Sequence, residues 1–166
     1  MKVSLRATYG IMAAVDLAMH RGTAPVRAKS IAHRQAIPAR FLEQVLYGMK
    51  KAGLVTSLRG AQGGYVLSKK PSEVSVVEIL EALDGPLLFS NGGTERGQGR
   101  RPSKPELLLG KIWEQVHQAE RHVLEAISVE ELAGQQRVIE QERSLPVSLY
   151  LPQAKVPLIS AMRISL

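Results

Sequence analysis

The chain has 166 residues, 45% of them hydrophobic and 4% aromatic, which predicts an aliphatic core in either one compact domain or one small domain with an extension. Its 22 Lys and Arg exceed its 15 Asp and Glu, and the resulting charge of +7 favours a polyanionic partner, with nucleic acid ahead of an anionic membrane. The chain has no cysteine, which excludes disulfides, thiolate nucleophiles and cysteine-ligated metal or iron–sulphur sites.

The N-terminal segment predicts a helix from Ser4 to His20. Apolar residues line two of its sides, so we expect burial both against its own domain and against a partner chain. Arg6 and Asp16 interrupt the apolar run, which therefore fits neither a signal peptide nor a membrane span. On this basis we expect the protein in the cytoplasm.

Two closely linked helices are predicted next. The first covers 28–35 and turns Ile31 and Ala32 inward, and the second has Pro38 in its first turn. The second helix has one apolar face, formed by Leu42, Val45, Leu46 and Met49. A link this short favours a helix-turn-helix, with an ordinary helical hairpin as the alternative.

The opposite face of the second helix is polar. It carries Arg40, Glu43, Gln44, Tyr47 and Lys51. Arg40 and Gln44 have the donors and acceptors that bind guanine and adenine edges, and Glu43 can accept a hydrogen bond from cytosine N4. We therefore expect Glu43 to act mainly in discrimination between sequences. The alternative is an ion pair between Glu43 and either Lys50 or Arg40.

A β-hairpin follows this helix. Gly53 is suited to end the helix with a positive φ, and residues 54–59 and 65–68 have the composition of paired strands. The turn at 60–64 is rich in glycine, so its backbone can approach a phosphate or a narrow minor groove beside Arg59. A helix-turn-helix followed by a hairpin is a winged helix, which we expect to read DNA.

The composition changes after a short helix at 76–83, which a capping box of Ser75 and Glu78 begins and Gly85 ends. Residues 87–105 predict a flexible Gly/Arg-rich loop, more consistent with a solvated linker than with a phosphate site. The prolines of 144–166 favour an extended C-terminal arm.

A long helix is predicted from a capping box at 103–106 to about Ile127, and another capping box at 128–131 begins a weaker helix toward Arg143. The long helix carries an apolar stripe of Leu109, Ile112, Val116, Ala119, Val123 and Ala126. A lone helix cannot bury such a stripe, so we expect it to pair with a second chain. The alternative is that it folds back on its own winged helix.

Several segments together resemble the Rrf2 family of small bacterial winged-helix transcription regulators. The matching segments are Ala7–Gly10, Asp16–Ala18, Ile31–Ala32 with Ile37, Phe41–Gln44, Lys51–Val55, Arg59–Tyr65 and Asp84–Pro86. The resemblance implies a homodimer on a palindromic operator, with the Arg40–Gln44 helix in the major groove and the Arg59–Gly63 wing at the minor groove. The residues expected at the DNA are Lys29, Pro38, Ala39, Arg40, Phe41, Glu43, Gln44, Arg59, Gly60, Ala61, Gln62 and Gly63.

The chain departs from the cluster-binding members of this family. They carry three cysteines between the fourth and fifth helices and a histidine before the tryptophan, where this chain has no cysteine and has Gly110. Since His117 and His122 are five residues apart, they lie on different helix faces, and we expect no metal site. No nucleophile–base set is recognisable either, so we expect neither a cofactor nor an enzyme.

The predicted fold is mainly α with a small β-hairpin. We divide it into a winged helix-turn-helix at 1–86, the loop at 87–105, dimerisation helices at 106–143 and the arm at 144–166. The predicted function is a DNA-binding transcription regulator, in particular a repressor, controlled by a partner protein or small molecule through the 87–105 loop or the cleft beside the long helices. The alternative is a winged helix that binds a protein partner.

Overall fold

The computed structural model describes residues 3–22, 24–60, 62–86 and 103–144. The helices and strands, in chain order, are α1 (Leu5–Met19), α2 (Ala28–Arg34), α3 (Ala39–Lys51), β1 (Val55–Leu58), β2 (Gly64–Leu67), α4 (Val76–Asp84), α5 (Lys104–Ala126) and α6 (Val129–Ser144). A turn of 3-10 helix at Pro71–Glu73 joins β2 to α4. The predicted fold, mainly α with one small hairpin, is confirmed for these residues.

Helix α1 forms the centre of the described fold. Ser4 begins it by accepting a hydrogen bond at Oγ from the Ala7 amide, 3.0 Å away. Its buried side chains are mostly alanine, which allows α3, α4 and α6 to pack closely around it. The predicted burial against its own domain is therefore observed, and burial against a partner chain stays a prediction.

The turn between α2 and α3 differs in detail from the prediction. Helix α2 ends at Arg34, with Gln35 as its C-cap, and Pro38 is the N-cap of α3 rather than a residue of its first turn. Inside the turn, the Ile37 amide donates to the Ala32 carbonyl oxygen at 2.9 Å, and the Ile37 side chain is buried. The residues that cap a helix determine where it ends, and the spacing of apolar residues does not identify those caps.

Helix α3 ends as predicted. Gly53 takes a φ of +74°, and the amide of Leu54 donates to the Met49 carbonyl oxygen at 2.9 Å. Strands β1 and β2 then pair antiparallel, from Val55 opposite Leu67 to Leu58 opposite Gly64. Strand β1 is one residue shorter at each end than predicted, and β2 has the predicted length but begins one residue earlier, because Gly64 pairs with Leu58.

Helix α6 joins the core of the winged helix. Two backbone hydrogen bonds connect the start of α4 to the α5–α6 junction, from the Val76 amide to Ile127 at 3.0 Å and from the Val129 amide to Val74 at 2.8 Å. The side chains of Val129 and Ala133 lie in the same buried cluster as residues of α1–α4. The division into separate units at 1–86 and 106–143 stays a prediction.

The loop at 87–102 and the arm at 145–166 lie outside the described residues, so the predictions made for them are not addressed by this structure. Among the helices that are described, none has an apolar run long enough to cross a bilayer.

Candidate DNA-binding surface

Helix α3 has two chemically distinct faces. Leu42, Val45, Leu46 and Met49 are fully buried. Arg40, Glu43, Gln44 and Tyr47 are exposed on the opposite side. The helix therefore fixes itself to the core by one face and leaves donors and acceptors open to solvent on the other, as a helix that enters the major groove requires.

The carboxylate of Glu43 remains available on that face. Among the described residues it forms no ion pair with Arg40 or Lys50, which was the alternative to a role in recognition. Lys50 instead donates from Nζ to the Ser57 Oγ at 2.6 Å, so it ties the end of α3 to β1. This contact supports the angle between the helix and the wing.

The first turn of α3 carries Pro38, Ala39 and Phe41 of the predicted site. Pro38 and Ala39 are exposed, no side chain caps the helix, and the amides of Phe41 and Leu42 donate to the Pro38 carbonyl oxygen at 2.9 and 3.0 Å. Phe41 is half-buried and packs edge-on against Tyr9, with 5.3 Å between the ring centroids. The geometry gives Phe41 a packing contact and places its ring apart from the polar face, so its DNA contact stays a prediction.

The wing turn is constrained by its glycines. Gly60 has a φ of +111°, and the Gly63 amide donates to the Gly60 carbonyl oxygen at 2.9 Å. A Cβ at Gly63 would collide with the backbone of Leu58. Arg59 and Gln62 are exposed, while Ala61 lies outside the described residues.

The base of the wing is hydrogen-bonded to the segment before α2. Val26 and Tyr65 exchange two backbone hydrogen bonds, at 2.9 and 2.8 Å, and a Cβ at Gly64 would lie 2.6 Å from the Val26 carbonyl oxygen. This pairing holds the wing beside α2, where Lys29 is exposed. The structure thus brings the described residues of the predicted site to α2, the start of α3 and the wing.

Three residues beside the predicted site were not included among its residues, although Tyr47 and Lys51 were predicted on the polar face of α3. Tyr47 is 63% exposed in the middle of the polar face of α3, and the Lys51 Nζ lies 5.9 Å from the centre of its ring. Asp16, buried in α1, hydrogen-bonds to Arg34 and Gln35 beside the turn that leads into α3. Helical spacing had already placed Tyr47 on the polar face, whereas nothing local in the sequence indicates the partners of Asp16.

The predicted stripe of α5 is exposed in the single chain. All six of its residues are exposed, Val116 at 47% and Val123 at 60%, and Leu108 and Trp113 extend the apolar area. A different side of α5 faces the body of the molecule, where Leu124 packs against a small cluster of α1 and α4. The stripe itself therefore does not fold back on its own winged helix.

A polar cleft lies between the start of α4 and the end of α5. Its volume is about 370 Å³, and it is lined by Ser72, Glu73, Ser75, Val77, Glu78, Glu81, Arg121, Glu125, Ala126 and Ser128. Arg121 forms an ion pair with Glu81 across it, and this hydrogen bond raises the pKa of the guanidinium. The cleft lies beside the long helix, where the sequence predicts one of two possible sites of control.

An exposed polar helix face, a steep turn before it and a glycine-rich wing beside it define a winged helix-turn-helix DNA-binding protein. Comparison with known families agrees with this class. Residues 3–135 match the Rrf2 model, described as an iron-dependent transcriptional regulator. The chain belongs to the Rrf2 family and is a DNA-binding transcription regulator.

Similar proteins and solved structures support the assignment. The chain is 35% identical to the transcriptional regulator CymR of Bacillus subtilis over 81% of this chain and 91% of that one, and 33% identical to IscR of Photorhabdus laumondii over 84% of each. The structure of CymR, the global cysteine regulator of B. subtilis, superposes with a TM-score of 0.65 at 34% identity, covering 81% of this chain and 97% of CymR. The structure of IscR of T. potens superposes with a TM-score of 0.66 at 34% identity, covering 91% of this chain and 97% of that IscR.

The family description names iron, yet the residues of this chain do not fit an iron–sulphur cluster. There is no cysteine in the sequence to supply a thiolate. Within the described ranges, no group of three or more His, Asp or Glu side chains is arranged to hold a metal ion.

Proposed function

We propose that the protein is a homodimeric repressor that recognises a palindromic operator and does so without a metal cofactor. The observation that carries this proposal is the exposed polar face of α3, on a helix whose opposite face is completely buried. Such a helix can enter the major groove as a rigid part of the body. The chromosome is in the bacterial cytoplasm, so we place the protein there.

The expectation of a dimer is supported by α5. Its exposed stripe runs for more than four helical turns, from Leu109 to Ala126, and water would contact all of it in a monomer. Pairing with the same helix of a second copy buries both stripes around a two-fold axis. Two α3 helices related by that axis would read inverted half-sites about one helical turn apart, hence a palindrome.

Repression follows from occupancy, because a dimer bound over a promoter excludes the polymerase. DNA binding would be controlled by a partner protein or small molecule, and the candidate entry points are the 87–105 loop or the cleft between α4 and α5. A ligand there would act by changing the relative position of the two α3 helices of the dimer.

The test is a selection of duplexes from a random pool by the full-length protein, followed by fluorescence anisotropy of the selected duplex and a scrambled one across a salt series. We expect the selected duplex to bind more tightly and its log K to fall steeply with log salt. Arg59→Ala should weaken both duplexes and reduce the slope by about 1.

The matched control is Arg137→Ala, which removes one exposed cation of α6 far along the chain from the wing and should leave the slope unchanged. A flat salt response with no preference for any duplex would contradict the proposal and favour a winged helix that binds a protein partner.

A further inference from the structure

Asp16 is the charged residue that the described part of the chain buries. Its side chain is 1% exposed within α1, among alanines and the aliphatic residues of the main core. A carboxylate is costly to bury unless it is paired and hydrogen-bonded. The hydrogen-bond partners of Asp16 therefore indicate its role.

The carboxylate binds the end of α2. Arg34 donates to it twice, from Nε to Oδ2 at 2.9 Å and from Nη2 to Oδ1 at 2.6 Å, and Gln35 donates from Nε2 to Oδ2 at 3.1 Å. The Nδ1 of His20 lies 3.6 Å from Oδ1 and donates to the Asp16 carbonyl oxygen at 2.8 Å. The hydrogen bonds from Arg34 to Asp16 also raise the pKa of the guanidinium, against the effect of its partial burial.

These partners stand immediately before the turn into α3. Arg34 is the last residue of α2, Gln35 is its C-cap, and Ala36 follows with a φ of +51°. A residue with a Cβ rarely adopts this left-handed conformation, and such strain persists only where the surroundings fix the backbone on both sides. Burial of Ile37 fixes the later side of the turn, and the Asp16 contacts fix the earlier side.

We propose that Asp16 is a positioning residue for DNA recognition, which sets the orientation of α3 by holding Arg34 and Gln35 at the turn between α2 and α3. Asp16 itself is buried and does not touch DNA. This inference rests on the proposed DNA-reading function of α3 and names what aligns that helix.

A hydrogen-bonded carboxylate suits this role better than an apolar side chain. Apolar packing is non-directional and tolerates small rotations of α2, whereas three hydrogen bonds at fixed angles do not. Since a base contact requires donors placed within a few tenths of an ångström, a small rotation of α3 would weaken base contacts more than contacts with phosphates. Loss of Asp16 should therefore reduce sequence preference before it reduces overall affinity.

The experiment compares wild-type protein with Asp16→Asn, Arg34→Gln and the double variant, each at a temperature where its circular dichroism matches the wild type. Binding is measured to the duplex that the wild type selects and to a scrambled duplex of the same composition. We expect each single variant to lower the ratio of the two affinities by about tenfold, the size of one lost base-pair contact. The double variant should lose no more than the single ones, because both changes remove the same interaction.

The matched control is Arg21→Gln, which also removes one positive charge near the end of α1 but lies outside the Asp16 contacts. It should weaken both duplexes equally and keep their ratio within about twofold, since phosphate contacts carry no sequence information. Equal ratios for folded Asp16→Asn and wild type would overturn the inference.

Arg34→Lys serves if Asp16→Asn does not fold. It keeps the charge and gives up the second hydrogen bond, so the ratio should fall below that of the wild type, and an unchanged ratio would overturn the inference. If the wild type itself shows no preference and a flat salt response, the proposed function fails and this inference with it. That outcome is read from the wild type alone.

Discussion

Glu43 is exposed on α3 between two residues, Arg40 and Gln44, that can donate hydrogen bonds to bases. A carboxylate on a DNA-facing surface is repelled by phosphate and gains only where a base donates to it, such as cytosine at N4. We predict that Glu43→Ala relaxes the preference at one base pair of each half-site by about 1–3 kcal/mol while binding to random DNA does not weaken.

The measurement is anisotropy with a panel of duplexes that carry single substitutions in the selected site. Glu142→Ala, which removes an exposed carboxylate from the last turn of α6, is the control and should leave the panel unchanged. An equal loss of affinity for all duplexes would assign Glu43 to the fold instead of to discrimination.

Residue-level features were predictable where a local rule determines them. The positive φ of Gly53 and the capping box of Ser75 and Glu78 are examples, since each depends on residues within a few positions. The contact between Asp16 and Arg34 was not predictable, because 18 residues separate them and the pairing exists only once α1 and α2 have packed. Sequence periodicity identifies the face of a helix but not its distant polar partner.

Helix α4 illustrates how one element is anchored at its start. The Ser75 amide donates to Glu78 Oε2 at 2.9 Å, the Glu78 amide donates to Ser75 Oγ at 3.4 Å, and Lys69 donates to Glu78 Oε1 at 3.0 Å. Burial raises the pKa of Glu78, but the hydrogen bonds from Ser75 and Lys69 together outweigh it and lower the pKa overall. The ionised carboxylate thus stabilises the start of the helix.

The sign of the pH dependence follows from that lowered pKa. Glu78 contributes stability above its unfolded pKa of about 4.3, and this contribution is lost as the pH falls through the lower, folded value. We predict that Glu78→Gln, which keeps a capping side chain, lowers the free energy of unfolding at pH 7 by at most about 1 kcal/mol because the ion pair with Lys69 is partly solvated.

Urea unfolding of both proteins at pH 7 and at pH 3 measures this effect. The difference between wild type and variant should be smaller at the lower pH, because protonation of Glu78 removes the stabilisation that its ionised carboxylate provides. A difference that stays the same at both values would show that the charge of Glu78 is not what stabilises the helix.

Elements were easier to predict than their ends. The helices around α1 and α3 and the hairpin were expected from apolar spacing and β-branched content, and all of them form. Two helix ends differ from the prediction by one residue. Helix α2 ends at Arg34 instead of Gln35, and Pro38 is the N-cap of α3 instead of part of its first turn. The insertion of α6 into the core was not predicted, since three apolar residues in its first turns, Val129, Leu132 and Ala133, make the contact and most of the helix is polar.

At the scale of the whole molecule, the exposed stripe of α5 makes the dimer testable. We predict that Val116→Glu gives a monomer in solution with greatly reduced operator binding. The chain itself should still fold, because Val116 is exposed within it. A charge in the centre of an apolar helix pair loses its hydration without a partner and opposes association.

Light scattering at micromolar concentration measures the mass of each variant. Gln118→Glu is the matched control, since it adds the same carboxylate to the opposite, exposed side of α5 and should remain dimeric. A dimer that survives Val116→Glu would place the subunit contact on another surface.

The bridge between the start of α4 and the α5–α6 junction has a mechanical consequence. Its two backbone hydrogen bonds, at Val76 and Val129, join the C-terminal end of α5 to the winged helix and make that end a pivot. A helix of 23 residues is about 34 Å long, so a tilt of about 10° around the pivot displaces its first turn by about 6 Å. Any rotation of α5 about this junction is therefore smallest where the helix meets the winged helix and largest at its first turn.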